Sequence, residues 1–584
     1  MRAENVHAGV PQGGGLDAPP TDGRPADPTL EAGPSGATAL ARWLHAAGVR
    51  VVFVLPGGHI LPLMGALHQA GVRLVGVRHE SAAAQMAQGW ALATGQPGVA
   101  LVTAGAGFTH AVTGLVDAAT GRLPLVLIAG RSRSRLRGRE AVQDFDQAAL
   151  ARTVARATVC LDLGATEELA RLPEAWTGAG GAPGPLYLQV APDFLRAPLP
   201  AGATLPPPPP APAPPADAAA LGTAAAWLGA AQRPLILCGS GAYWAGAGEP
   251  LRALAERSGI PVATTGAARG LLPDGHRDCL GGLVHAGAAL QMADTVLLVG
   301  SRFNGNLLFG RGPLFPEDQR VIQVDCDPAA RGFNRLAELF VEGDAAQVLT
   351  ALALATPAVA RPEWDRMARS AVAASHELWA DEVERGPAAD GVHPAALGRA
   401  VQDALGDRPA TLILDGGDIL GWGLGWAAAE RPGSLLTTST ALGTLGVGLP
   451  FACAARLAHP DRATVVISGD GAFGLAAMEL ATAVRERLPM VVLVANNGSW
   501  GDLRHLEALW LDGLELEANR LGTVRYDRVA RALGAEGVAV RRERDLPAAV
   551  AAALARPGPV VIDVHTDWRP QSRLMAGLGV MDIM

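Results

Sequence analysis

Two polar residues lie at positions where an otherwise apolar part of the chain could perform chemistry. Asp470 follows a short β-branched run and stands between Gly469 and Gly471, and Asn497 follows a second apolar run further along. Such runs are typical of buried parallel strands. Because the carboxyl ends of neighbouring parallel strands meet at one edge of a sheet, where α/β proteins bind ligands, the two side chains are expected to lie close together.

A carboxylate and an amide oxygen are hard ligands of the kind that Mg²⁺ prefers, and Mg²⁺ often takes further ligands from a phosphorylated partner. Asp470 and Asn497 therefore predict a metal that bridges the protein to a diphosphate. The alternative is that Asp-Gly and Asn-Gly are only turn residues. A helix over 473–487 and a strand over 490–495 would complete a βαβ unit around the site.

Alternating strand and helix patterns continue on both sides of this unit. They predict an α/β fold with three doubly wound parallel-sheet domains. A glycine- and proline-rich tail without apolar periodicity precedes them, and a proline-rich stretch that favours an extended spacer separates the first two. The predicted segments are the tail (1–35), the first domain (36–198), the linker (199–217), the central domain (218–355), a helical connector (356–390) and the third domain (391–584).

Composition excludes several classes of protein. A chain of 584 residues with 49% hydrophobic residues and a net charge of −8 is typical of a globular protein and not of a nucleic-acid-binding one. It has neither an apolar run of membrane-spanning length nor a signal-peptide core, so we expect a cytoplasmic protein. Its five cysteines form no CxxC pair. It contains no lysine, which excludes Schiff-base, pyridoxal-phosphate and Walker-type chemistry.

Two further motifs have a structural as well as a functional interpretation. Glu80 follows a predicted strand and opens a helix, so a favourable interaction with the helix dipole would suffice to explain it. Gly239 and Gly241 follow another strand and could either cradle a nucleotide phosphate or form a plain tight turn. The residues alone leave both alternatives open.

Taken together, residues 37–566 resemble the acetolactate synthase and benzaldehyde lyase branch of the thiamine-diphosphate (ThDP) enzymes. In that family a pyrimidine-binding domain, a central non-catalytic domain and a diphosphate-binding domain follow one another, and the cofactors are ThDP and Mg²⁺. The motifs that carry the resemblance are 56–60, 78–80, 103–110, 443–450, 469–471 and 496–497.

The resemblance implies how the pyrimidine end of the cofactor is held. Glu80 would polarise N1′ of the pyrimidine, so that the cofactor's own 4′-imino group can take the C2 proton. Leu445 would keep the cofactor bent, and the carbonyl of Gly443 would accept a hydrogen bond from the 4′-amino group.

The resemblance also implies a diphosphate end. Backbone amides at the start of a helix would contact the diphosphate, and a metal ion would bridge it to side-chain oxygens. The residues implied are Asp470, Asn497 and the Ser499 carbonyl for Mg²⁺, and Gly416, Gly417, Asp418, Gly469 and Gly471 for the diphosphate.

Three polar residues would face the substrate, a small 2-oxo acid or 2-hydroxy ketone. His59 matches the site histidine of benzaldehyde lyase, Gln143 matches a glutamine of acetolactate synthase, and His110 lies where acyl-CoA lyases also have histidine. Trp500, beside the metal loop, would wall the pocket for the second substrate. A surface or capping role is the alternative for each polar residue.

The central domain departs from the acetolactate synthase pattern. Those enzymes typically carry an Arg-Phe-Asp-Asp-Arg run, whereas residues 302–306 read Arg-Phe-Asn-Gly-Asn. The change argues against a structural FAD and against acetolactate formation. Residues 307–310 instead resemble 2-hydroxyacyl-CoA lyases, which bind ADP there.

The preferred prediction is nevertheless a carboligase of acetolactate synthase type, as in branched-chain amino acid biosynthesis. Pyruvate would lose CO₂, and the remaining two-carbon unit would join a second 2-oxo acid. The alternatives are a lyase for 2-hydroxy ketones or 2-hydroxyacyl-CoA, and a non-catalytic regulatory paralogue, against which the intact Glu80 argues. Family sites form between chains, so we expect a homodimer or homotetramer without nucleic acid or membrane partners.

Overall fold

The computed structural model describes residues 33–177, 183–200, 205–206, 215–384, 390–437 and 442–580. Most of the predicted tail and linker, together with 385–389 of the predicted connector, lies outside the described residues. None of the described helices combines the length and the apolar character that a membrane span requires.

The first domain is a parallel sheet with helices on both faces. Its elements are α1 (Gly36–Ala46), β1 (Val51–Val54), α2 (Leu61–Gln69), β2 (Arg73–Gly76), α3 (Glu80–Thr94), β3 (Gly98–Val102), α4 (Ala106–Thr120), β4 (Leu125–Gly130), α5 (Gln147–Arg152), β5 (Ala157–Leu161), α6 (Thr166–Thr177), β6 (Leu186–Val190) and α7 (Pro192–Arg196). The strand order is β2-β1-β3-β4-β6-β5, so β2 is an edge strand.

The central domain has the same architecture, and a long helix leaves it. Its elements are α8 (Ala218–Ala230), β7 (Pro234–Cys238), α9 (Ser240–Trp244), α10 (Gly248–Ser258), β8 (Val262–Thr264), β9 (Cys279–Gly282), α11 (Leu283–Met292), β10 (Thr295–Val299), β11 (Arg320–Asp325), β12 (Leu339–Glu342), α12 (Ala345–Ala355) and the connector α13 (Pro362–Glu384). The strand order is β12-β11-β10-β7-β8-β9.

The third domain repeats the pattern. Its elements are α14 (Ala395–Leu405), β13 (Ala410–Asp415), α15 (Asp418–Leu424), β14 (Leu435–Thr437), α16 (Gly448–Ala458), β15 (Ala463–Gly469), α17 (Asp470–Ala476), α18 (Glu479–Arg485), β16 (Val491–Asn496), α19 (Gly501–Trp510), α20 (Tyr526–Ala532), β17 (Glu536–Val540), α21 (Leu546–Leu554), β18 (Val560–His565) and α22 (Arg573–Val580). The order β14-β13-β15-β16-β18-β17 gives a third parallel six-stranded sheet, which confirms the predicted fold class.

The βαβ unit predicted around Asp470 differs in one respect. Strands β15 and β16 pair in parallel, as predicted. The prediction of a single helix over 473–487 is wrong, because α17 and α18 are separate. The carbonyls of Ala477 and Met478 accept hydrogen bonds from amides three residues on, and this tighter turn interrupts the α-helical pattern.

One apolar core is continuous between the first and third domains. Helix α3 lies against α16 so closely that a Cβ on Gly89 would come within 2.8 Å of the Cα of Phe451. The third domain therefore packs directly on the helix that begins with Glu80.

Candidate active site

Glu80 is the first residue of α3 and is 7% exposed. Its Oε2 lies 3.0 Å from Nδ1 of His110, whose ring stacks on that of His79 with the centroids 4.9 Å apart. Ligand atoms of the three side chains lie within 4.8 Å of one another, so the cluster could also hold a transition metal. The structure thus brings together the two predicted residues Glu80 and His110 and adds His79.

His59 and Gln143 both contact the loop between β3 and α4. Nδ1 of His59 is 3.3 Å from the Thr103 hydroxyl, and burial lowers the pKa of His59. Gln143 packs so tightly on Gly105 that a Cβ added to Gly105 would lie 2.7 Å from the Cβ of Gln143. Gln147, which sequence reasoning missed, accepts from the Gly105 amide at 2.7 Å. His59 and Gln143, two of the three polar residues predicted to face the substrate, therefore both lie at this loop beside Glu80.

Asp470 begins α17 directly after Gly469 and is 2% exposed. One of its oxygens accepts from the Gly498 amide at 2.9 Å. Burial raises the pKa of Asp470 to about 7, and backbone donors lower it only in part. Among the described residues, no cationic side chain contributes to that shift. A divalent cation would supply the missing positive charge, so this buried carboxylate fits a metal ligand.

The two adjacent asparagines have different surroundings. The side-chain oxygen of Asn497 accepts from the amide and the hydroxyl of Ser499, each at 3.0 Å. Asn496 instead donates to the Asp563 carboxylate at 2.8 Å and to the Val524 carbonyl at 2.8 Å. Asn496 therefore ties strands together, while Asn497 lies in the loop that also contacts Asp470.

The glycines near this loop permit close packing. A Cβ on Gly471 would lie 2.5 Å from the ring of Trp500, which thus covers the turn after Asp470. Gly416 has φ +139, which other residues rarely adopt, and a Cβ on Gly417 would meet that of Asp502 at 3.1 Å. Asp502 was not predicted, because no local pattern pairs it with Gly417.

The side chain of Asp418 has a structural role. Its two oxygens accept from the indole nitrogen of Trp422 and from the Ser572 amide, each at 2.8 Å. The carboxylate thereby fixes the segment that leads into α22. The backbone amide of Asp418, which is the group that was predicted to contact the diphosphate, lies at the start of α15.

Asp415 holds the loop that carries Gly443 and Leu445. Its oxygens accept from the Gly446 amide at 3.1 Å and the Gly448 amide at 2.9 Å, and burial raises its pKa to about 6. Gly443 has φ +69, and Leu445 is half-buried. The sequence analysis did not single out Asp415, although an acid at the end of an apolar strand is a signal for such anchoring, because a buried carboxylate needs hydrogen-bond donors.

Asp117 on α4 is fully buried beside the same loop. Neither of its oxygens has a hydrogen bond of regular geometry among the described residues. Burial raises its pKa to about 6, and the Thr444 hydroxyl lowers it only in part. The ionised form of Asp117 is therefore poorly compensated.

We expect Asp117→Asn to change how stability depends on pH. The pKa of Asp117 is raised in the folded state, so the protonated side chain is the form that the fold tolerates. The stability of the wild type is therefore full below about pH 4, and part of it is lost as the pH rises through about 6. The free energy of unfolding of the variant, relative to wild type, should therefore rise by about 3 kcal/mol over that range. Denaturant titrations at several pH values measure this difference, and a difference that does not change with pH would contradict the expectation.

The central-domain glycines are explained by contacts within the protein. A Cβ on Gly239 would lie 2.6 Å from that of Ser301, and one on Gly241 would lie 2.7 Å from the Cα of Gly300. The guanidinium of Arg302 lies over the Phe333 ring, 5.2 Å from its centroid. The close approach of these two strand ends explains why both positions are glycine, as the alternative of a tight turn predicts.

Three family models match successive parts of the chain, one in each of the three sheet domains. They are the thiamine pyrophosphate (TPP) enzyme N-terminal TPP binding domain at residues 34–150, the central domain at 221–352 and the C-terminal TPP binding domain at 415–564. The chain therefore belongs to the thiamine pyrophosphate enzyme family, which binds the cofactor named ThDP above.

Curated relatives narrow the assignment. The chain is 34% identical over 564 residues to an acetolactate synthase large subunit of Mycobacterium tuberculosis, covering 94% of this chain and 97% of the relative. It is 30% identical over 549 residues to the acetolactate synthase isozyme 1 large subunit of Escherichia coli, covering 91% and 94%. A large subunit of Corynebacterium glutamicum is 32% identical, with 94% and 90% covered. Within the family, the chain is a ThDP enzyme of acetolactate synthase type, which confirms the resemblance.

Proposed function

We propose that this protein condenses pyruvate with a second 2-oxo acid. One pyruvate loses CO₂, and its remaining two-carbon unit forms a bond to the carbonyl carbon of the acceptor. With pyruvate as acceptor, the products are acetolactate and CO₂. The similarity to acetolactate synthases over more than nine-tenths of the chain carries this proposal.

The third-domain residues fit a metal-held diphosphate. Asp470 is a buried anion without a cationic partner among the described residues, and Asn497 offers an amide oxygen in the same loop. We propose that both bind Mg²⁺, with Ser499, and that Gly416, Gly417 and the Asp418 amide contact the diphosphate. ThDP, when bound, supplies the nucleophilic carbon and accepts the electron pair that CO₂ leaves behind.

Glu80 would act at the pyrimidine end. Its carboxyl is nearly buried, so a proton shared with N1′ of the pyrimidine is exposed to little competing water. His110 holds Oε2 of this carboxyl and therefore limits the directions that Glu80 can take. Leu445 and the Gly443 carbonyl lie on the loop fixed by Asp415, where they would support the cofactor from the third domain.

The substrate would meet the loop after β3. His59 and Gln143 both contact this loop, and burial keeps His59 neutral at pH values where an exposed histidine is partly charged. A neutral imidazole and an amide can donate to the carbonyl oxygens of a 2-oxo acid. Trp500 would wall the acceptor side.

Incubation of the protein with pyruvate, ThDP and Mg²⁺ tests the proposal. We expect CO₂ and acetolactate in equal amounts, measured by gas release and by proton NMR. A parallel incubation with benzoin, a 2-hydroxy ketone, tests the lyase alternative. Cleavage of benzoin without acetolactate would overturn the proposal, and no reaction with either compound would favour a non-catalytic role.

We further propose a homodimer or homotetramer with sites formed between chains. Glu80 begins the helix of one half-site in the first domain, and Asp470 begins the helix of the other half-site in the third domain. Apolar side chains are exposed close in sequence to both half-sites: Val142 is 82% exposed, Leu475 62% and Met478 50%. A second chain that covered them would bury this surface and bring a first domain to a third domain.

A heterodimer of Glu80→Gln and Asp470→Ala chains tests this arrangement. If sites form between chains, one site keeps both residues, and the purified heterodimer should retain about half of the wild-type activity. The matched control pairs a chain carrying both substitutions with a wild-type chain, and it should be inactive. The reverse pattern, an active control and an inactive heterodimer, would show that each site lies within one chain.

The domain limits given above and a cytoplasmic location belong to the same proposal. The five cysteines are free thiols, which supports a reducing compartment.

A further inference from the structure

Two carboxylates of the third domain reach the edge strand β2 of the first. Glu486, just after α18, pairs with Arg73 at the start of β2, with nitrogen and oxygen 2.7 Å apart. Glu479, the first residue of α18, accepts from the backbone amide of Arg78 at 2.8 Å, just beyond the end of β2. The same short helix region thus contacts both ends of the strand that leads to Glu80.

Glu479 is held far more firmly than Glu486. It is 2% exposed, and its second oxygen accepts from the Thr482 hydroxyl at 2.7 Å. Burial raises the pKa of Glu479, while the hydrogen bonds from Thr482 and from the Arg78 and His79 amides lower it. Arg73, the partner of Glu486, has a side chain that is 50% exposed, so that pair is a solvated surface contact.

The amides that Glu479 binds lie immediately before Glu80. Helix α3 begins at Glu80 with His79 as its N-cap, and the first amides of a helix have no partner within it. Glu479 binds the amide of this N-cap residue and the Arg78 amide before it, and it thereby fixes where the helix starts. Because reacting groups lose up to about 10²-fold in rate when they are displaced by 1 Å, the start of α3 determines how well Glu80 can act.

We propose that Glu479 is a positioning residue for Glu80. From the third domain it fixes the backbone before Glu80 and thereby sets where that carboxyl meets the pyrimidine of the cofactor. Asp470 begins α17, directly before α18, so with sites formed between chains one short segment carries the diphosphate-end ligand of one site and the anchor of the pyrimidine-end acid of the other. The catalytic part of this inference rests on the proposed function, whereas the anchoring contact does not.

Hydrogen–deuterium exchange of the protein without added cofactor tests the anchor. In Glu479→Ala, the amides of Arg78 and His79 should exchange faster than in wild type. Glu479→Gln should exchange nearly as wild type, because its amide oxygen can still accept from Arg78 while its NH₂ group faces Thr482. Glu486→Ala is the matched control, since it removes the other carboxylate on β2 and should leave these amides unchanged.

Kinetics on the same variants test the catalytic consequence. Glu479→Ala should lower kcat by at least about 10-fold with less than about a threefold change in ThDP affinity, and Glu479→Gln should recover most of the loss. Thr482→Val, which frees one oxygen of Glu479, should give a smaller effect of the same kind and serves if Glu479→Ala does not fold. Unchanged exchange, or faster exchange with an unchanged kcat, would overturn the proposal. Absence of acetolactate with the wild type is instead a failure of the proposed function, and exchange then decides the anchor by itself.

Discussion

Glu80→Gln is expected to lower turnover with pyruvate by at least about 10²-fold, the scale of a positioned acid–base group. Glutamine has the same shape and keeps an oxygen for His110, but it cannot share a proton with the pyrimidine. Since Glu80 is 7% exposed, water cannot easily replace it. Steady-state kinetics measure the loss, and circular dichroism with a ThDP titration should show a normal fold and near-normal cofactor affinity.

Glu486→Gln is the control for this variant. It also removes one carboxylate charge between the first and third domains, but at the solvated Arg73 pair, and it should keep the wild-type kcat. If Glu80→Gln instead turned over pyruvate as fast as wild type, Glu80 would be only a helix-start residue favoured by the dipole.

Asp470→Ala should act on cofactor binding. Its carboxylate is buried and faces no cationic side chain among the described residues, and in the proposed site a metal ion compensates its charge. Mutation of a residue that only hydrogen-bonds to a metal ligand typically lowers metal affinity by about 10–100-fold. Loss of the ligand itself should therefore weaken Mg²⁺-dependent ThDP binding by at least about 100-fold. Calorimetry at fixed Mg²⁺ measures the change.

The adjacent asparagines provide a matched comparison. Asn497→Ala should weaken ThDP binding in the same direction as Asp470→Ala, with little loss of stability. Asn496→Ala removes the side-chain donor of the buried Asp563 carboxylate and the contact to the Val524 carbonyl, and it should cost about 1–3 kcal/mol of stability. If both asparagine variants bound ThDP with wild-type affinity, the metal site would not lie in this loop.

The fold could be predicted because its determinants are local. Buried parallel strands give apolar runs, and the strand predicted over 490–495 is observed as β16 at Val491–Asn496. The position of Glu80 at a helix start followed from the adjacent strand. The helix over 473–487 was predicted as one piece because its composition favours helix throughout, whereas the break at Ala477 depends on a change of hydrogen-bond pattern that composition does not encode.

Contacts between distant segments could not be predicted in this way. Glu479 and Arg78 are separated by 401 positions, and only the packing of α18 on the edge of the first sheet brings them together. The pairing of Glu80 with His110 likewise depends on how α4 lies against α3. Gln143 was chosen by resemblance, but Gln147, four residues on, is the glutamine that holds the Gly105 amide, and only the course of the chain before α5 reveals that difference.

Calorimetric titration with ThDP, in the presence and absence of Mg²⁺, tests most directly whether the two half-sites bind the cofactor. With Mg²⁺ present we expect saturable binding at a single class of sites. Removal of Mg²⁺ with EDTA should weaken that binding strongly, because the proposed site joins Asp470 and Asn497 to the diphosphate through the metal. Absence of saturable ThDP binding by the folded wild-type protein at millimolar Mg²⁺ would contradict the assignment of Glu80, Asp470 and Asn497 to a cofactor site.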